Sequence, residues 1–319
     1  FLMNGQTPAD NWTGLFAKGE RVLLRIINAS AMTLFDVRIP GLKMTVVAAD
    51  GQYVESVSVD EFRIGVAETY DVLVEPEGDT AYSLFAQAID RSGYAVGRLT
   101  PDESLQAELP QMDYAPVLGH NEMGMGGMDH SKMDMSNMDM SAMAAMMKGP
   151  EHADTEYGSH VDMRAESPQY ALDDPGIGLR DNGRTVLSYA MLRNLSPSPD
   201  PREPEREIEL HLNGNMRRYM WSINGVKFAD AEPLMMKFGE RVRITLVNDT
   251  MMSHPMHLHG VWSDLESGDD AYLPRKHTVI VQPGSKVSYR VTADALGGWA
   301  YHCHLQYHMP AMFRKVVIA

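Results

Sequence analysis

The sequence has little that would staple it, anchor it in a membrane or make it basic. It holds a single cysteine, Cys303, so no disulfide can close within the chain and cysteine usage carries no compartment signal. No uninterrupted apolar run approaches the length that spans a bilayer, and no membrane span is expected. Lysine and arginine number 28 against 43 aspartates and glutamates, for a formal charge of −15. Nothing resembles the basic face that phosphate contacts need, which excludes nucleic acid as an expected partner. No long stretch carries the 3.6-residue period of an amphipathic helix. Residues 1–119 contain no histidine at all. The charged, apolar and cleavage regions of a secretory leader are not visible after Phe1, and the chain reads as starting inside a longer protein.

What is present is a set of short β-strands. The 319 residues are 44% hydrophobic and 22% charged, the balance of a globular chain long enough for two cores. Val22–Ile27, Lys43–Ala48 and Tyr70–Val74 read as strands in a first block, residues 1–112. Glu207–Leu212, Arg241–Val247 and Thr278–Val281 read as strands in a second, residues 185–319. This pattern predicts an all-β protein of two sandwiches. Residues 113–184 between them differ in character, with ten methionines from Met123 to Met147 among small and polar residues. That composition predicts a largely disordered insertion.

The two blocks resemble each other. Gly19-Glu20-Arg21-Val22 recurs as Gly239-Glu240-Arg241-Val242, and at the same offset Asn28 falls on Asn248, Ser30 on Thr250 and Met32 on Met252. Leu34, Val37 and Ile39 then stand where the second copy has His254, His257 and His259. Near the ends, Ala81-Tyr82-Ser83-Leu84-Phe85 aligns with Ala300-Tyr301-His302-Cys303-His304. The first copy reads as a structural duplicate, and chemistry is expected in the second.

That chemistry concentrates in His254-Pro255-Met256-His257-Leu258-His259-Gly260 and His302-Cys303-His304-Leu305-Gln306-Tyr307-His308. In a strand, residues two apart share a face and neighbours point oppositely. His257 and His259 therefore project together, as do His302 and His304, while Cys303 faces the other way and forms a Cys-His₂ set with His254 and His308. A thiolate with two imidazoles and a weak thioether is the ligand set of a blue-copper electron-transfer site. The remaining four imidazoles suit copper ions that reduce dioxygen, and the His-Cys-His backbone joins the two sites covalently. A lone HxH in a strand is more often a surface pair, and zinc accepts the same ligands. Two linked motifs standing opposite apolar residues in the twin copy favour copper.

HPMHLHG and HCHLQYH resemble the third and fourth copper motifs of multicopper oxidases. Asn11-Trp12-Thr13-Gly14-Leu15-Phe16, Asp60-Glu61-Phe62-Arg63-Ile64-Gly65 and Asp294-Ala295-Leu296-Gly297 resemble the bacterial copper-resistance protein A family. The resemblance covers essentially the whole chain, including the Met-rich insertion, and implies the second and third cupredoxin-like Greek-key domains of a three-domain oxidase. It implies type 1 copper at His254, Cys303 and His308, type 2 copper at His257, and a type 3 pair at His259, His302 and His304. Electron entry and dioxygen chemistry would fall to His308, Cys303, His302 and His304, with His308 expected nearest the solvent. The family's axial methionine usually follows the last type 1 histidine by five residues. In His308-Met309-Pro310-Ala311-Met312 the spacing is one shorter, leaving Met312 the axial candidate and Met309 pointing away. The implied activity is oxidation of Cu(I) or a phenolic reductant and reduction of dioxygen to water in the periplasm. A complete trinuclear site needs eight histidines, so a missing N-terminal domain or a partner chain would have to supply the rest.

Other residues are weaker candidates. Met123, Met125, Met128, Met133, Met135, Met138 and Met140 carry soft thioethers suited to capturing or delivering Cu(I), and His120, His130, His152 and His160 in the same segment could assist. His211 and His277 read as ordinary strand or surface residues, Trp299 as core packing, and Asp264 with Glu266 as a solvated loop. The rival class is a non-enzymatic periplasmic protein that sequesters copper. Two-domain nitrite reductases and laccases fit less well, the former because Cys303 is followed by His304, the latter because their first domain also carries HxH motifs. Metal ligands must be deprotonated, so copper occupancy is expected to fall at low pH.

Overall fold

The computed structural model describes residues 1–119, 123 and 150–319. Among them the regular structure is almost wholly β-strand, with only short 3₁₀ turns such as Asp154–Tyr157 and Phe228–Asp230. No helix among the described residues is long and apolar enough to cross a membrane. The chain divides into two compact units: residues 1–117, 172–201 and 262–279 form the first, and residues 118–171, 202–261 and 280–319 the second.

In the first unit, Trp12–Leu15, Tyr94–Thr100, Tyr82–Ala88, Phe35–Arg38 and Glu61–Ile64 form a five-stranded sheet in that order. Val22–Ile27, Thr69–Val74, Met44–Ala49 and Gln52–Val59 form a four-stranded one. The period of two is plain in Thr69–Val74, whose Tyr70, Val72 and Val74 are buried while the alternating residues are half-buried. These three pack with Val37, Met44, Val46, Phe62, Ile64 and Leu84 into the core. A buried cation ties the returning segment to this unit. Lys276, fully buried, lies 3.0 Å from Asp50 and 3.1 Å from Glu68, with the rings of Tyr70 and Tyr189 within 5.4 Å of its Nζ. Burial pulls against the charged amine, but the two carboxylates outweigh it and raise its pKa.

In the second unit, Met220–Ile223, Arg206–Asn215, Arg241–Asn248 and Ser285–Thr292 run side by side, with Gln169–Tyr170 on the last. Leu234–Met236, Phe313–Ile318, Gly297–Cys303 and His254–Leu258 run together in a second sheet. The repeat seen in the sequence has a structural counterpart. Asn28 Nδ2 donates to the carbonyls of Thr33 and Ile64, while its Oδ1 accepts from the Ser30 amide and hydroxyl. Asn248 makes the same four bonds, to Met252 and Val281 and from Thr250. Each copy thus locks the chain leaving one sheet with one asparagine and one hydroxyl.

Two readings differ from the structure. The observed units do not divide at residues 112 and 184, because 172–201 and 262–279 pack with the first block; Leu187 and Leu192 lie in its core. Of the segment 113–184, residues 113–119, 123 and 150–184 are described, with Val161, Met163, Ala165 and Leu179 buried. Finally, Val37 pairs with Ala86 as His257 pairs with His302. The counterparts of His302, Cys303 and His304 are therefore Ala86, Gln87 and Ala88, three residues beyond the Ser83-Leu84-Phe85 of the sequence alignment. A local Ala-Tyr match had outweighed a register that strand pairing alone specifies.

Replacing Lys276 with methionine would strand Asp50 and Glu68 without a buried counter-charge. The expected loss is about 3–5 kcal/mol, read as a lowered midpoint in urea unfolding followed by the burial-sensitive fluorescence of Trp12.

Candidate metal centre

The site is built on one antiparallel strand pair. His254–Leu258 and Gly297–Cys303 run in register, with Met256 opposite Cys303, His257 opposite His302 and Leu258 opposite Tyr301. Side chains alternate across this ribbon, so Cys303 shares a face with His254, while His257 and His302 share the other. The third sulfur-side residue comes from the turn after the strand. There the His308 amide donates to the Leu305 carbonyl, and the Met312 amide donates back to the carbonyl of His308.

On the sulfur face Cys303 Sγ lies 3.5 Å from His254 Nδ1 and 3.8 Å from His308 Nδ1, and the two nitrogens are 3.3 Å apart. Bonds of about 2.0 Å to nitrogen and 2.3 Å to sulfur place the ligands of one ion roughly 3.3–3.8 Å from each other. The residues therefore fit a single soft transition ion without rearrangement, and all three are buried. Met312 is buried beside them, its carbonyl accepting from the Cys303 amide, whereas Met309 is half-buried. Burial holds the His308 imidazole down at a pKa of about 3 and depresses that of His254, which the neighbouring His308 lowers further. Both rings are neutral at physiological pH, as ligation requires. Burial also pushes the Cys303 thiol up to about 12, so the sulfur keeps its proton until a cation displaces it.

Thr250 fixes how His254 presents itself. Its Oγ1 lies 2.8 Å from Asn248 Oδ1 and 2.6 Å from His254 Nε2. Asn248 Nδ2 is committed to two carbonyls, so its Oδ1 is an acceptor and the threonine hydroxyl must donate to it. Thr250 Oγ1 then accepts from His254 Nε2–H, which leaves Nδ1 unprotonated and facing the sulfur. The asparagine–hydroxyl lock of both copies serves here as a support for a ligand ring; in the first copy the position of His254 holds buried Leu34.

His308 departs from expectation, since it is completely buried and not next to solvent. Trp221 stacks on its ring with centroids 3.7 Å apart and planes at 22°, and Tyr219 meets it edge-on at 5.9 Å. Trp221 also touches His254 edge-on. Neither aromatic was singled out in the sequence, because nothing near Tyr219 or Trp221 carries a ligand motif. Trp221 lies on the strand Met220–Ile223 and Tyr219 in the turn just before it; that strand pairs with Arg206–Asn215, a placement that only the tertiary fold supplies.

On the opposite face His259 Nε2 and His302 Nε2 are 3.1 Å apart. His257 lies 4.4 Å from His259 and 5.7 Å from both His302 and His304, between ring centroids. The His302 Nδ1–H donates to the Cys303 carbonyl, turning Nε2 toward His259, and the ring stacks on Phe313. Burial lowers the His302 pKa to about 4 and that of His259 in the same direction. Gly260 follows this cluster at φ +82°, and a Cβ there would lie 2.2 Å from the Trp299 ring, so only glycine fits. Trp299 is half-buried and not a core residue, its Nε1–H donating to the Ala295 carbonyl.

The remaining sequence candidates scatter. Met125, Met128, Met133, Met135, Met138 and Met140, with His120 and His130, lie outside the described residues; Met123 is a half-buried turn residue. Asp264 is not in a solvated loop but buried on a strand, paired with Arg275 at 2.9 Å. His211 is buried too, among acidic partners.

Thr250→Val should weaken copper binding about 10–100-fold, as measured by competition against a chromophoric chelator, while Thr250→Ser should retain it.

With this geometry in place, comparison with known proteins is informative. The family description "Multicopper oxidase" matches residues 1–103 and again residues 201–318. A copper resistance protein A homolog of Pseudomonas syringae pv. tomato is 57% identical over 99% of this chain and 57% of its own length. The copper resistance protein A of Escherichia coli is 55% identical over 99% of this chain and 58% of its own. The chain thus spans just over half the length of these relatives. Among solved structures, Fet3p, a multicopper oxidase that functions in iron import, superposes with a TM-score of 0.64 at 18% identity, covering 99% of this chain and 58% of that one. A laccase of Botrytis aclada gives 0.58 at 16% identity, covering 96% and 53%. These structural likenesses speak for the fold, and the sequence matches in both halves carry the assignment: the chain belongs to the multicopper oxidase family.

Proposed function

We propose that this chain is the copper-binding portion of a periplasmic oxidase of copper resistance, one that takes electrons from Cu(I) or a phenolic reductant and delivers them to dioxygen. The observation that carries this reading is the buried thiol 3.5 and 3.8 Å from two imidazole nitrogens, on a strand pair beside which four further histidines cluster on the opposite side. Cys303, His254 and His308, with Met312 as a further candidate ligand, would hold type 1 copper; His257 would hold type 2 copper and His259, His302 and His304 the type 3 pair. Bound copper supplies reversible one-electron transfer and, where several ions cluster, the four-electron, four-proton reduction of dioxygen to water.

The chain's own residues prepare that chemistry. Thr250 holds the His254 tautomer, and Trp221 and Tyr219 screen His308 from water, so the sulfur-side pocket stays dry and its ligands stay neutral. A dry, prebuilt pocket limits the rearrangement that accompanies each change of charge at the metal. The peptide units of residues 302–304 join the two ligand faces covalently, the shortest path between them. Four histidines are half of a trinuclear set, and the other four would come from a further domain or a partner chain.

In the full-length parent protein loaded with copper, Cys303→Ser should remove the intense blue absorption and reduce oxygen uptake with Cu(I) to background. Retention of the blue band by this variant would refute the type 1 assignment. Retained copper with no oxygen uptake in the unsubstituted protein would point instead to sequestration.

A further inference from the structure

Outside the copper residues, the second unit gathers another set of potential ligands that the proposed oxidase does not use. His152, Glu156, His211 and Asp249 place one ligating atom each within 4.8 Å of all the others, and three of the four residues are buried. His152 Nδ1 lies 2.8 Å from Glu156 Oε2 and 3.6 Å from Asp249 Oδ2. His211 Nδ1 lies 2.8 Å from Asp249 Oδ2 and 3.3 Å from Glu156 Oε2. The same two carboxylate oxygens thus face both imidazole nitrogens. For a tetrahedral ion with bonds of about 2.1 Å, such atoms sit roughly 3.4 Å apart, so the set needs only a slight expansion to close on a metal.

The carboxylates are arranged to offer one oxygen apiece. Glu156 Oε1 is occupied by the Ala153 amide and Asp249 Oδ1 by the Ala165 amide, leaving Oε2 and Oδ2 turned to the centre. Asn213, fully buried, donates from Nδ2 to both of those oxygens at 3.2 Å, and its Oδ1 is held by the Gly225 amide. On the far side of His211, Nε2 lies 3.1 Å from Glu209 Oε1. A carboxylate behind a ligating imidazole is the usual support that fixes a metal-facing nitrogen. The segment bearing His152 and Glu156 is itself pressed onto the sandwich: Gly225, at φ +68°, has no room for a Cβ, which would lie 2.2 Å from the Thr155 carbonyl oxygen. A cleft of about 440 Å³ lined by His152, Tyr157, Asp162, Arg164 and Glu166 reaches the cluster from outside.

We infer that His152, Glu156, His211 and Asp249 form a second metal site, taking one divalent transition ion such as Zn(II) through two imidazole nitrogens and two carboxylate oxygens. Without a metal, burial opposes the charged His211 ring, but Asp249, Glu209 and Glu156 raise its pKa to about 10, so an entering ion has to displace the Nδ1 proton; with both rings then neutral, the four groups carry two negative charges, which a divalent cation balances. Two nitrogen and two oxygen ligands without sulfur suit a borderline divalent ion better than Cu(I). The ion would clamp residues 150–166 onto the strands Arg206–Asn215 and Arg241–Asn248, making the site structural.

The test uses the whole 319-residue chain, stripped of metal and titrated with Zn(II) chloride and separately with Co(II) chloride. His152→Asn, at the mouth of the site, and Glu156→Gln should each bind one Zn(II) fewer than the parent after desalting. Both should lose the zinc-dependent rise in Tm, and the visible Co(II) bands of a nitrogen–oxygen site should disappear. The near-ultraviolet Co(II) band that depends on the Cys303 thiolate should persist, showing that these variants remain folded. Glu209→Gln should keep the ion but weaken it about 10–100-fold. Equal zinc stoichiometry and an equal zinc-dependent Tm rise in the parent and in His152→Asn would overturn the site, leaving a network of ion pairs only.

Discussion

A single antiparallel strand pair organises the candidate metal centre of this chain. Once Met256 is set opposite Cys303 and His257 opposite His302, the period of two sends Cys303 and His254 to one face of the ribbon and His257 and His302 to the opposite face. A slip of one residue would carry Cys303 to the wrong face and separate it from His254. The surrounding sandwich keeps that register. Tyr301 and Leu258, flanking the ligands, are buried, and Phe313–Ile318 holds the other edge of the cysteine strand through six residue pairs.

The two copies present different side chains on one scaffold. Both keep the asparagine–hydroxyl lock at Asn28–Ser30 and Asn248–Thr250, and both begin their repeat with a glycine at positive φ. They differ in what the following strand presents: Leu34 and Val37, buried, on one side, and His254 and His257 on the other. The apolar copy stands as the sandwich without ligands. The second copy replaces core side chains with imidazoles and gives the inherited hydroxyl a further partner in His254 Nε2. The cost of burying polar rings is offset because each has a hydrogen-bonding or ligating role.

Much of this was legible in the residues. His254, His257, His259, His302, Cys303, His304 and His308 lie on or just beyond two short strands, and the sorting of His254, His257, His302 and Cys303 into two faces follows from local geometry alone. The strands around Val22, Tyr70, Arg241 and Thr278 were also readable, from short runs rich in β-branched and apolar residues bounded by Gly, Pro, Asn and Asp. Register was less so. A chance Ala-Tyr match placed the counterpart of the cysteine strand three residues too early, because pairing between distant strands is set by contacts that no short stretch encodes. The burial of His308 was not readable either. Trp221 lies 87 positions before it, and its stacking depends on how Met220–Ile223 folds back on Arg206–Asn215.

The sequence by itself determined the all-β character, the duplication and the chemistry of the ligand set, because each rests on residue type and on a periodicity confined to a few neighbours. Only the tertiary structure decided which segments share a core, which aromatic rings enclose the sulfur-side pocket, and how four groups as far apart as His152 and Asp249, three of them buried, come to surround one point. Those are outcomes of long-range packing, in which the entropy of closing long loops is overcome only when many apolar contacts form together.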